Sequence, residues 1–321
     1  MEDAILSTYQ LRKYFPVSKT IFSDSAGMIK AVDDVDIQVF RGETLGLVGE
    51  SGCGKSTLGR LILRLEDPTG GEIFFEGENI TRLKSKALKA YRKRVQIVFQ
   101  DPYASLNPRK TAADIIGEPF IIQDHDGQKD IKDAAMSLME MVGLSPEQGK
   151  RYPHEFSGGQ RQRIGIARAL ALKPSVVIAD EPVSSLDVSI QAQILNLMKD
   201  LQRDFNLTYV FISHDLSVIR FMSDRIAVMY MGKVVETAPN EILYESPRHP
   251  YTKALLSAIP VIPTPGTIGM MKHILKEDVP QKPPISGCVF QPRCPYQVEI
   301  CRKEAPPIKA ASTYHKFACH L

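Results

Sequence analysis

The nine residues 49–57, Gly-Glu-Ser-Gly-Cys-Gly-Lys-Ser-Thr, constrain the fold of this chain more than any other stretch. They match the pattern G-x-x-x-x-G-K-[ST] between an apolar run at 44–48, which predicts a buried strand, and a helical pattern that begins near Lys55. In such a turn successive backbone N–H groups point inward at a phosphate, and the start of the helix adds the positive end of its dipole. The sequence therefore predicts a phosphate-binding turn in an α/β fold.

Two side chains of this turn have expected chemical roles. The Lys55 ammonium supplies a point charge for the β- and γ-phosphates of a nucleoside triphosphate, and the Ser56 hydroxyl ligates Mg²⁺. Cys53 is expected to fill a variable position without chemistry of its own. The turn residues expected to bind nucleotide are Gly49, Ser51, Gly52, Cys53, Gly54, Lys55, Ser56 and Thr57.

The remaining sequence up to about residue 244 alternates compact apolar runs with helical patterns, which favours a mostly parallel sheet with an antiparallel β unit to one side. Strands are predicted at 95–99, 176–179 and 209–212, antiparallel strands at 32–40 and 72–75, and a hairpin from 225–229 and 234–237. Between Thr111 and Glu155 the strand pattern disappears. This predicts a helical subdomain, at about 105–170, inserted into the sheet domain.

Two acids, Asp180 and Glu181, follow the strand predicted at 176–179. Acids at the carboxyl end of a central strand lie at the crevice where α/β sheets bind ligands. We expect Asp180 to hold Mg²⁺ through its water shell. We expect Glu181 to act as the general base that polarises the attacking water.

A second glycine-rich turn, Phe156-Ser157-Gly158-Gly159-Gln160-Arg161-Gln162-Arg163, precedes a helical run. By its chemistry it is another anion-binding helix start. Beside a phosphate turn, it resembles the signature sequence of ATP-binding cassette (ABC) ATPases. The resemblance implies that Ser157, Gly158, Gly159 and Gln160 bind the γ-phosphate of ATP held by a partner subunit, so that two composite sites form only in a head-to-tail dimer.

Other motifs fall in the order found in this family. Gln100 matches the glutamine that contacts Mg²⁺ and water and leads into the helical subdomain. Asp187 ends a segment, Ser-Ser-Leu-Asp, that resembles the one linking the sites of the two subunits. His214 matches the histidine that contacts the γ-phosphate, so the resemblance implies catalytic roles for Gln100, Glu181 and His214. For the aromatic ring that stacks on adenine, Phe15 fits best and Tyr14 second.

Three stretches look like the ATPase subunits of dipeptide and oligopeptide importers, and residues 187–193 favour the second, F-type ATPase of these Dpp/Opp systems. The three stretches are 99–108, 151–155 and 248–256. The resemblance implies a peripheral subunit on the cytoplasmic face of the inner membrane that energises peptide import. Its expected partners are a homologous second ATPase (alternatively a second copy of this chain), two permease subunits and, through them, an extracytoplasmic peptide-binding protein. Nickel and glutathione importers share most of this pattern and are an alternative.

Charge and hydropathy limit the other classes of function. The chain has 40 Lys and Arg against 37 Asp and Glu, a net charge of +3, which cannot by itself carry an interaction with nucleic acid. We therefore expect no nucleic-acid partner, and a soluble, non-transport ABC ATPase is the weaker alternative. No apolar run reaches the ~20 residues of a membrane-spanning helix, and the first residues lack an export signal, so we expect a protein that stays inside the cell.

Four of the five cysteines lie in the last 34 residues. Cys288, Cys294, Cys301 and Cys319 fall in a Pro-rich, loop-rich extension expected at 246–321, after an ATPase domain at 1–245. Inside a cell, four clustered thiols favour a metal over disulfides, and by count alone zinc and an iron–sulfur cluster suit them equally. The resemblance to peptide-importer tails favours a [4Fe-4S] cluster, with zinc or no metal as alternatives. Taken alone, this tail would also suit a scaffold for iron–sulfur assembly.

Overall fold

The computed structural model describes residues 4–16, 28–123, 128–258, 284 and 286–321. The strands are β1 (Ala4–Pro16), β2 (Met28–Val35), β3 (Gln38–Phe40), β4 (Thr44–Val48), β5 (Gly70–Phe75), β6 (Glu78–Asn79), β7 (Val95–Val98), β8 (Val176–Asp180), β9 (Thr208–Ser213), β10 (Arg225–Tyr230), β11 (Lys233–Pro239), β12 (Ile308–Ala310) and β13 (Lys316–Ala318). The helices are α1 (Lys55–Ile62), α2 (Ser85–Arg94), α3 (Pro102–Ser105), α4 (Ala112–Ile122), α5 (Gln128–Met141), α6 (Gly158–Leu170), α7 (Val188–Phe205), α8 (Leu216–Met222), α9 (Asn240–Glu245), α10 (Pro250–Ser257) and α11 (Ile300–Lys303).

The larger of the two described sheets has the strand order β12-β13-β11-β10-β4-β9-β8-β7. Its central strands from β10 to β7 are parallel. Every residue of β4, β8 and β9 is buried, because α7 and α8 pack on one face of the sheet while α1 and the antiparallel strands pack on the other, and this explains their continuous apolar sequences. The predicted parallel strands are confirmed. Their carboxyl ends lie side by side, with Val48 opposite Ser213 and Asp180 opposite Ile212.

A five-stranded antiparallel sheet has the order β2-β1-β5-β6, with β3 also paired to β1. The predicted antiparallel unit is confirmed, although the run at 32–40 forms parts of two strands. The sequence did not indicate β1, its central strand. Register shifts interrupt β1, and Gln10 has a positive φ of 43°, so its side chains do not alternate regularly between buried and exposed.

Helices α3 to α6 form a separate packed group between β7 and β8. Helix α4 begins with a capping box, in which the Thr111 hydroxyl accepts a hydrogen bond from the Asp114 backbone N–H and the Asp114 carboxylate accepts one from the Thr111 backbone N–H. The group shares buried apolar side chains: Ile115, Ile116, Met139, Val142 and Ile164. The helical character predicted for 111–155 is confirmed, whereas the subdomain limits stay a prediction.

The C-terminal residues return to the main sheet. β13 pairs antiparallel with β11, with Glu236 opposite Phe317, and β12 pairs with β13. The expectation of a loop-rich tail therefore needs correction, because helices α10 and α11 and two three-residue strands lie in it. Strands this short leave no periodic pattern in the sequence. Among the helices that the structure describes, none has both the length and the apolar character needed to cross a membrane.

Candidate functional site

The predicted phosphate turn connects the end of β4 to the start of α1. Gly54 precedes the helix with a φ of 108°, and a Cβ atom there would lie 2.0 Å from the Ala31 carbonyl oxygen. A Cβ atom on Gly49 would lie 2.1 Å from the carbonyl oxygen of Met229. Only glycine fits these two positions, because neighbouring backbone closes tightly around the turn.

Lys55 is buried beneath this turn, with 5% of its surface exposed. Its ammonium donates hydrogen bonds to the carbonyl oxygens of Gly49 (2.7 Å) and Glu50 (3.0 Å). The Cys53 thiol lies 3.7 Å from the same ammonium. Burial raises the pKa of Cys53, and the Lys55 charge opposes this shift, so the thiol is favoured over the thiolate. Cys53 thus fits the expected filler role.

Ser56 and Asp180 place two oxygen atoms side by side. The Ser56 hydroxyl donates to the Asp180 carboxylate over 2.9 Å. Burial raises the pKa of Asp180, the hydrogen bond from Ser56 opposes this shift, and the charge of Glu181 adds to it. Hydroxyl and carboxylate oxygens are ligands that Mg²⁺ prefers, so this pair fits a Mg²⁺ ion.

Glu181 is the meeting point of the three predicted catalytic residues. Its Oε2 atom accepts a hydrogen bond from the Gln100 amide (2.8 Å) and lies 3.1 Å from Nδ1 of His214. The Glu181 backbone is left-handed, with a φ of 48°, and its N–H donates to Ile212. Such strained backbone is concentrated at functional sites because the surrounding structure must hold it in place.

A cleft of about 1380 Å³ opens over these groups. Its lining includes the phosphate turn, residues of β1 and β2, part of the C-terminal segment, and the three predicted catalytic residues Gln100, Glu181 and His214. That volume exceeds the few hundred Å³ typical of small-ligand pockets and accommodates a nucleoside triphosphate.

Tyr14, rather than Phe15, lines this cleft among the described residues. The Tyr14 hydroxyl donates to Asp33 over 2.5 Å, and the Lys30 ammonium lies 5.3 Å from the ring centre. Burial and the hydrogen bond to Asp33 raise the pKa of Tyr14 to about 12. The lining of the cleft thus favours Tyr14, whereas the stacking contact with adenine, expected first of Phe15 and second of Tyr14, stays a prediction.

The second glycine-rich turn lies outside this cleft. Ser157 begins helix α6 with a capping box: its hydroxyl accepts from the Gln160 backbone (3.3 Å), and the Gln160 side chain accepts from the Ser157 backbone (3.0 Å). Ser157 and Gly158 are exposed, whereas Gly159 is buried against Ile190 of α7. Asp187, at the start of α7, is exposed as well. Within one chain, these predicted nucleotide-binding residues do not join the phosphate turn.

A contact between the phosphate turn and the C-terminal residues was not predicted from the sequence. The Glu50 carboxylate accepts two hydrogen bonds from Arg293, at 2.8 and 3.1 Å, and the Glu50 N–H donates to the Tyr251 hydroxyl at 3.0 Å. These pairs are separated by 243 and 201 residues. No local pattern in a single sequence indicates contacts at such a separation.

The four C-terminal cysteines are all buried, with at most 9% of each exposed. Burial raises the pKa of Cys288 to about 11, and the charges of Cys301, Cys294 and Cys319 contribute in the same direction. The thiols thus share one neighbourhood. Nevertheless, no group of three or more His, Cys, Asp or Glu side chains within the described residues is arranged to hold a metal ion. The expected [4Fe-4S] cluster or zinc gains no support from this arrangement and stays a prediction.

Two family models match the chain. The ABC transporter model matches residues 32–184, and the model for the C-terminal region of oligopeptide/dipeptide transporters matches residues 235–301. The second match includes three of the four C-terminal cysteines, Cys288, Cys294 and Cys301.

Curated relatives are similar over nearly the whole chain. The oligopeptide transport ATP-binding protein AppF of Bacillus subtilis is 52% identical over 100% of this chain and 98% of its own length. The dipeptide transport ATP-binding protein DppF is 49% identical in Haemophilus influenzae (98% of this chain, 96% of the relative) and 47% identical in Escherichia coli (96% and 92%).

Solved structures share the fold. The ATP-binding cassette MJ0796, as a dimer in a post-hydrolysis state with ADP and Pi, has a TM-score of 0.65 and 28% identity over 73% of this chain and 98% of that chain. CbiO1 of Clostridium perfringens, part of the transporter complex cbiONQ, has a TM-score of 0.65 and 26% identity over 77% and 93%.

Proposed function

Because the chain belongs to the ABC transporter family of ATP-binding proteins, we propose that it binds and hydrolyses ATP to energise a peptide importer. The observation that carries this proposal is the convergence of Gln100 and His214 on the carboxylate of Glu181, next to the Ser56–Asp180 oxygen pair. A carboxylate held in this way, at the edge of a phosphate-binding cleft, is suited to activating water.

The proposed roles follow the positions of the side chains. Lys55 and the backbone N–H groups of the turn bind the β- and γ-phosphates. Ser56 and Asp180 are the groups that would hold Mg²⁺, which neutralises phosphate charge when bound. Glu181 accepts the proton of the attacking water, while Gln100 and His214 orient its carboxylate. Phosphoryl transfer to water needs little covalent chemistry from the protein, so positioning and charge provide most of the catalysis.

We propose that the site is completed by a second ATPase subunit. Ser157 and Gly158, at the start of the second glycine-rich turn, and Asp187 are exposed and lie outside the cleft of their own chain, where a partner's nucleotide can reach them. MJ0796, which shares this fold, is a dimer in its ADP- and Pi-bound structure. The partner is a homologous second ATPase, as the F-type resemblance implies, with a second copy of this chain as the alternative.

The proposed cargo and location come from the relatives. AppF is named for oligopeptide transport and the two DppF proteins for dipeptide transport. Accordingly, this subunit lies on the cytoplasmic face of the inner membrane, bound to two permease subunits that receive peptide from an extracytoplasmic binding protein. The ATPase domain at 1–245 and the extension at 246–321 are proposed as its two parts.

For the extension, we propose that Cys288, Cys294, Cys301 and Cys319 hold a [4Fe-4S] cluster, with zinc as the alternative. What supports this is the resemblance of the tail to peptide-importer ATPases; the arrangement of the described side chains adds nothing to it. Anaerobically purified protein that is brown and contains iron and sulfide agrees with the cluster. A colourless protein containing zinc eliminates it.

The ATPase proposal is tested on purified full-length chain, with and without the second ATPase and the permease subunits of its system. We expect weak hydrolysis by the chain alone and faster turnover in the assembly, because the lone chain lacks the partner's Ser157 turn. Lys55→Ala is the control that abolishes hydrolysis. Fast turnover by dilute chain, independent of its concentration, contradicts the shared site.

The cargo is tested in cells that depend on external peptides for an essential amino acid. Deletion of the gene should abolish growth on di- or oligopeptides but not on the free amino acid. The wild-type gene should restore growth and the Lys55→Ala variant should not. Growth that depends on nickel or glutathione uptake, and not on peptides, favours the alternative cargo.

A further inference from the structure

Glu50, the second residue of the phosphate turn, is held by two residues from the C-terminal part of the chain. Its carboxylate accepts hydrogen bonds from both Nη atoms of Arg293, and its backbone N–H donates a hydrogen bond to the Tyr251 hydroxyl. Its carbonyl oxygen accepts a hydrogen bond from Lys55. The same residue thus contacts the phosphate-binding lysine on one side and the C-terminal segment on the other.

The Arg293 side chain is fixed by its surroundings. Only 5% of it is exposed, against 25% of the Glu50 side chain. Its guanidinium lies 5.8 Å from the centre of the Tyr230 ring. Tyr230 packs against Tyr251 (4.6 Å between ring centres) and Phe290 (5.3 Å). Arg293 therefore presents a rigid, two-point contact to Glu50, because these rings leave it little freedom to move.

The C-terminal segment also lines the nucleotide cleft directly. Ser286, Gly287, Val289 and Ala305 share its lining with Glu50 and Lys55. Without Arg293, the carboxylate of Glu50 would be an uncompensated negative charge within the turn that must receive a triphosphate. Like charges at this range, in a partly buried site, repel strongly.

We propose that Arg293 is a positioning residue for ATP binding: it neutralises and holds Glu50, so that the C-terminal segment forms part of the nucleotide site. The proposal rests on the proposed ATPase function and extends it to a segment of the chain beyond the ATPase motifs. Arg293 itself does not contact the reacting phosphate.

The test measures the affinity of the full-length chain for Mg-ATP by calorimetry. Arg293→Ala should weaken binding about tenfold, because it leaves the Glu50 charge unpaired. The double variant Glu50→Gln/Arg293→Ala, which removes that charge, should recover most of the affinity. Arg302→Ala changes an exposed arginine of the same segment and should bind like the wild type.

Arg293→Lys is a second variant in case Arg293→Ala does not fold. It keeps the charge but loses the two-point contact, so it should bind ATP about threefold more weakly than the wild type. The proposal is overturned if Arg293→Ala binds ATP as the wild type does, or if the double variant is as weak as Arg293→Ala. If the wild-type chain itself does not bind ATP, the proposed function fails instead, so the two failures are distinguishable.

Discussion

The side-chain amide of Gln100 donates a hydrogen bond to the carboxylate of Glu181, 2.8 Å away and 81 residues further along the chain. It connects the carboxyl ends of β7 and β8, and it holds the carboxylate toward the phosphate turn. Gln100 itself lies in the short connection, residues 99–101, between β7 and the helical group α3 to α6. A movement of that group can therefore change the orientation of Glu181.

Replacement of Glu181 by Gln should separate ATP binding from hydrolysis. The amide keeps the size of the side chain but cannot accept a proton from water, so we expect hydrolysis to fall at least ~100-fold while ATP affinity changes little. Phosphate release and nucleotide binding are measured on the same preparation. Glu245→Gln, at an exposed position, is the matched control. Normal hydrolysis by Glu181→Gln would mean that another group is the base.

Tyr14 and Phe15 are adjacent aromatic residues that should differ in their effect on ATP binding. Tyr14 lines the cleft and Phe15 does not, so Tyr14→Ala should weaken ATP binding about tenfold, the scale of one base–aromatic stacking contact. Phe15→Ala should change it less than about threefold. Tyr14→Phe keeps the ring and loses only the hydrogen bond to Asp33. If Phe15→Ala is the weaker binder, the assignment to Tyr14 is wrong.

Buried His249 should make the folded chain less stable at acid pH. Burial lowers its pKa to about 3, whereas the unfolded chain takes up a proton near pH 6.5. The unfolded state therefore binds more protons between these values, and the free energy of unfolding falls as the pH falls below about 6.5. At pH 5, His249 should lower the free energy of unfolding by about 2 kcal/mol.

The structure around His249 explains why it stays neutral. The Nδ1 atom of its ring accepts a hydrogen bond from the Tyr251 backbone N–H at the start of α10. The backbone N–H of His249 donates to the Glu236 carboxylate. The ring also packs near Phe290, 5.6 Å away. Urea unfolding at pH 7.5 and pH 5 measures the effect, and His249→Asn should reduce the difference between the two. An equal difference in that variant would assign the pH dependence to other groups.

The buried pair of Glu236 and His315 should stabilise the attachment of the last strands to the sheet. The Glu236 side chain is fully buried and accepts hydrogen bonds from the backbones of Arg248 and His249, and it lies 2.7 Å from Nε2 of His315. His315→Ala leaves a buried carboxylate without its side-chain partner, so we expect a loss of about 3 kcal/mol in the free energy of unfolding.

His315→Gln is the matched control, because its amide N–H can still reach toward the carboxylate. Its free energy of unfolding should fall clearly less than that of His315→Ala. Urea unfolding at neutral pH measures both variants. If His315→Ala unfolds at the wild-type urea concentration, the pair contributes nothing to stability.

The parallel centre of the fold and most of the candidate site could be predicted from sequence because both depend on local patterns. The strands β4, β8 and β9 are continuous apolar runs. The residues expected to act lie near their carboxyl ends: Asp180 ends β8, Glu181 follows it, and Lys55 begins α1 after the turn that leaves β4. When neighbouring parallel strands end at one edge of a sheet, residues far apart in sequence meet there, as Gln100, Glu181 and His214 do.

What could not be predicted depends on irregular or distant contacts. The bulges in β1 hide its alternation, so the faces that Phe15 and Tyr14 occupy could not be predicted. The strands β12 and β13 have three residues each and form only because β11 offers an edge. The pairing of Glu50 with Arg293 has no signature in either neighbourhood. It arises from tertiary packing alone.

The capped start of α6 has a consequence for the working cycle. Ser157 and Gln160 satisfy each other's backbone groups in the single chain, so the turn that we propose to meet a second ATPase is already in its folded shape. Closure then requires no coil-to-helix ordering at this point, and little entropy is lost each time the two subunits meet. When the two subunits separate after hydrolysis, the start of α6 keeps its structure. An ATPase that associates and separates in every cycle therefore does not have to refold this turn.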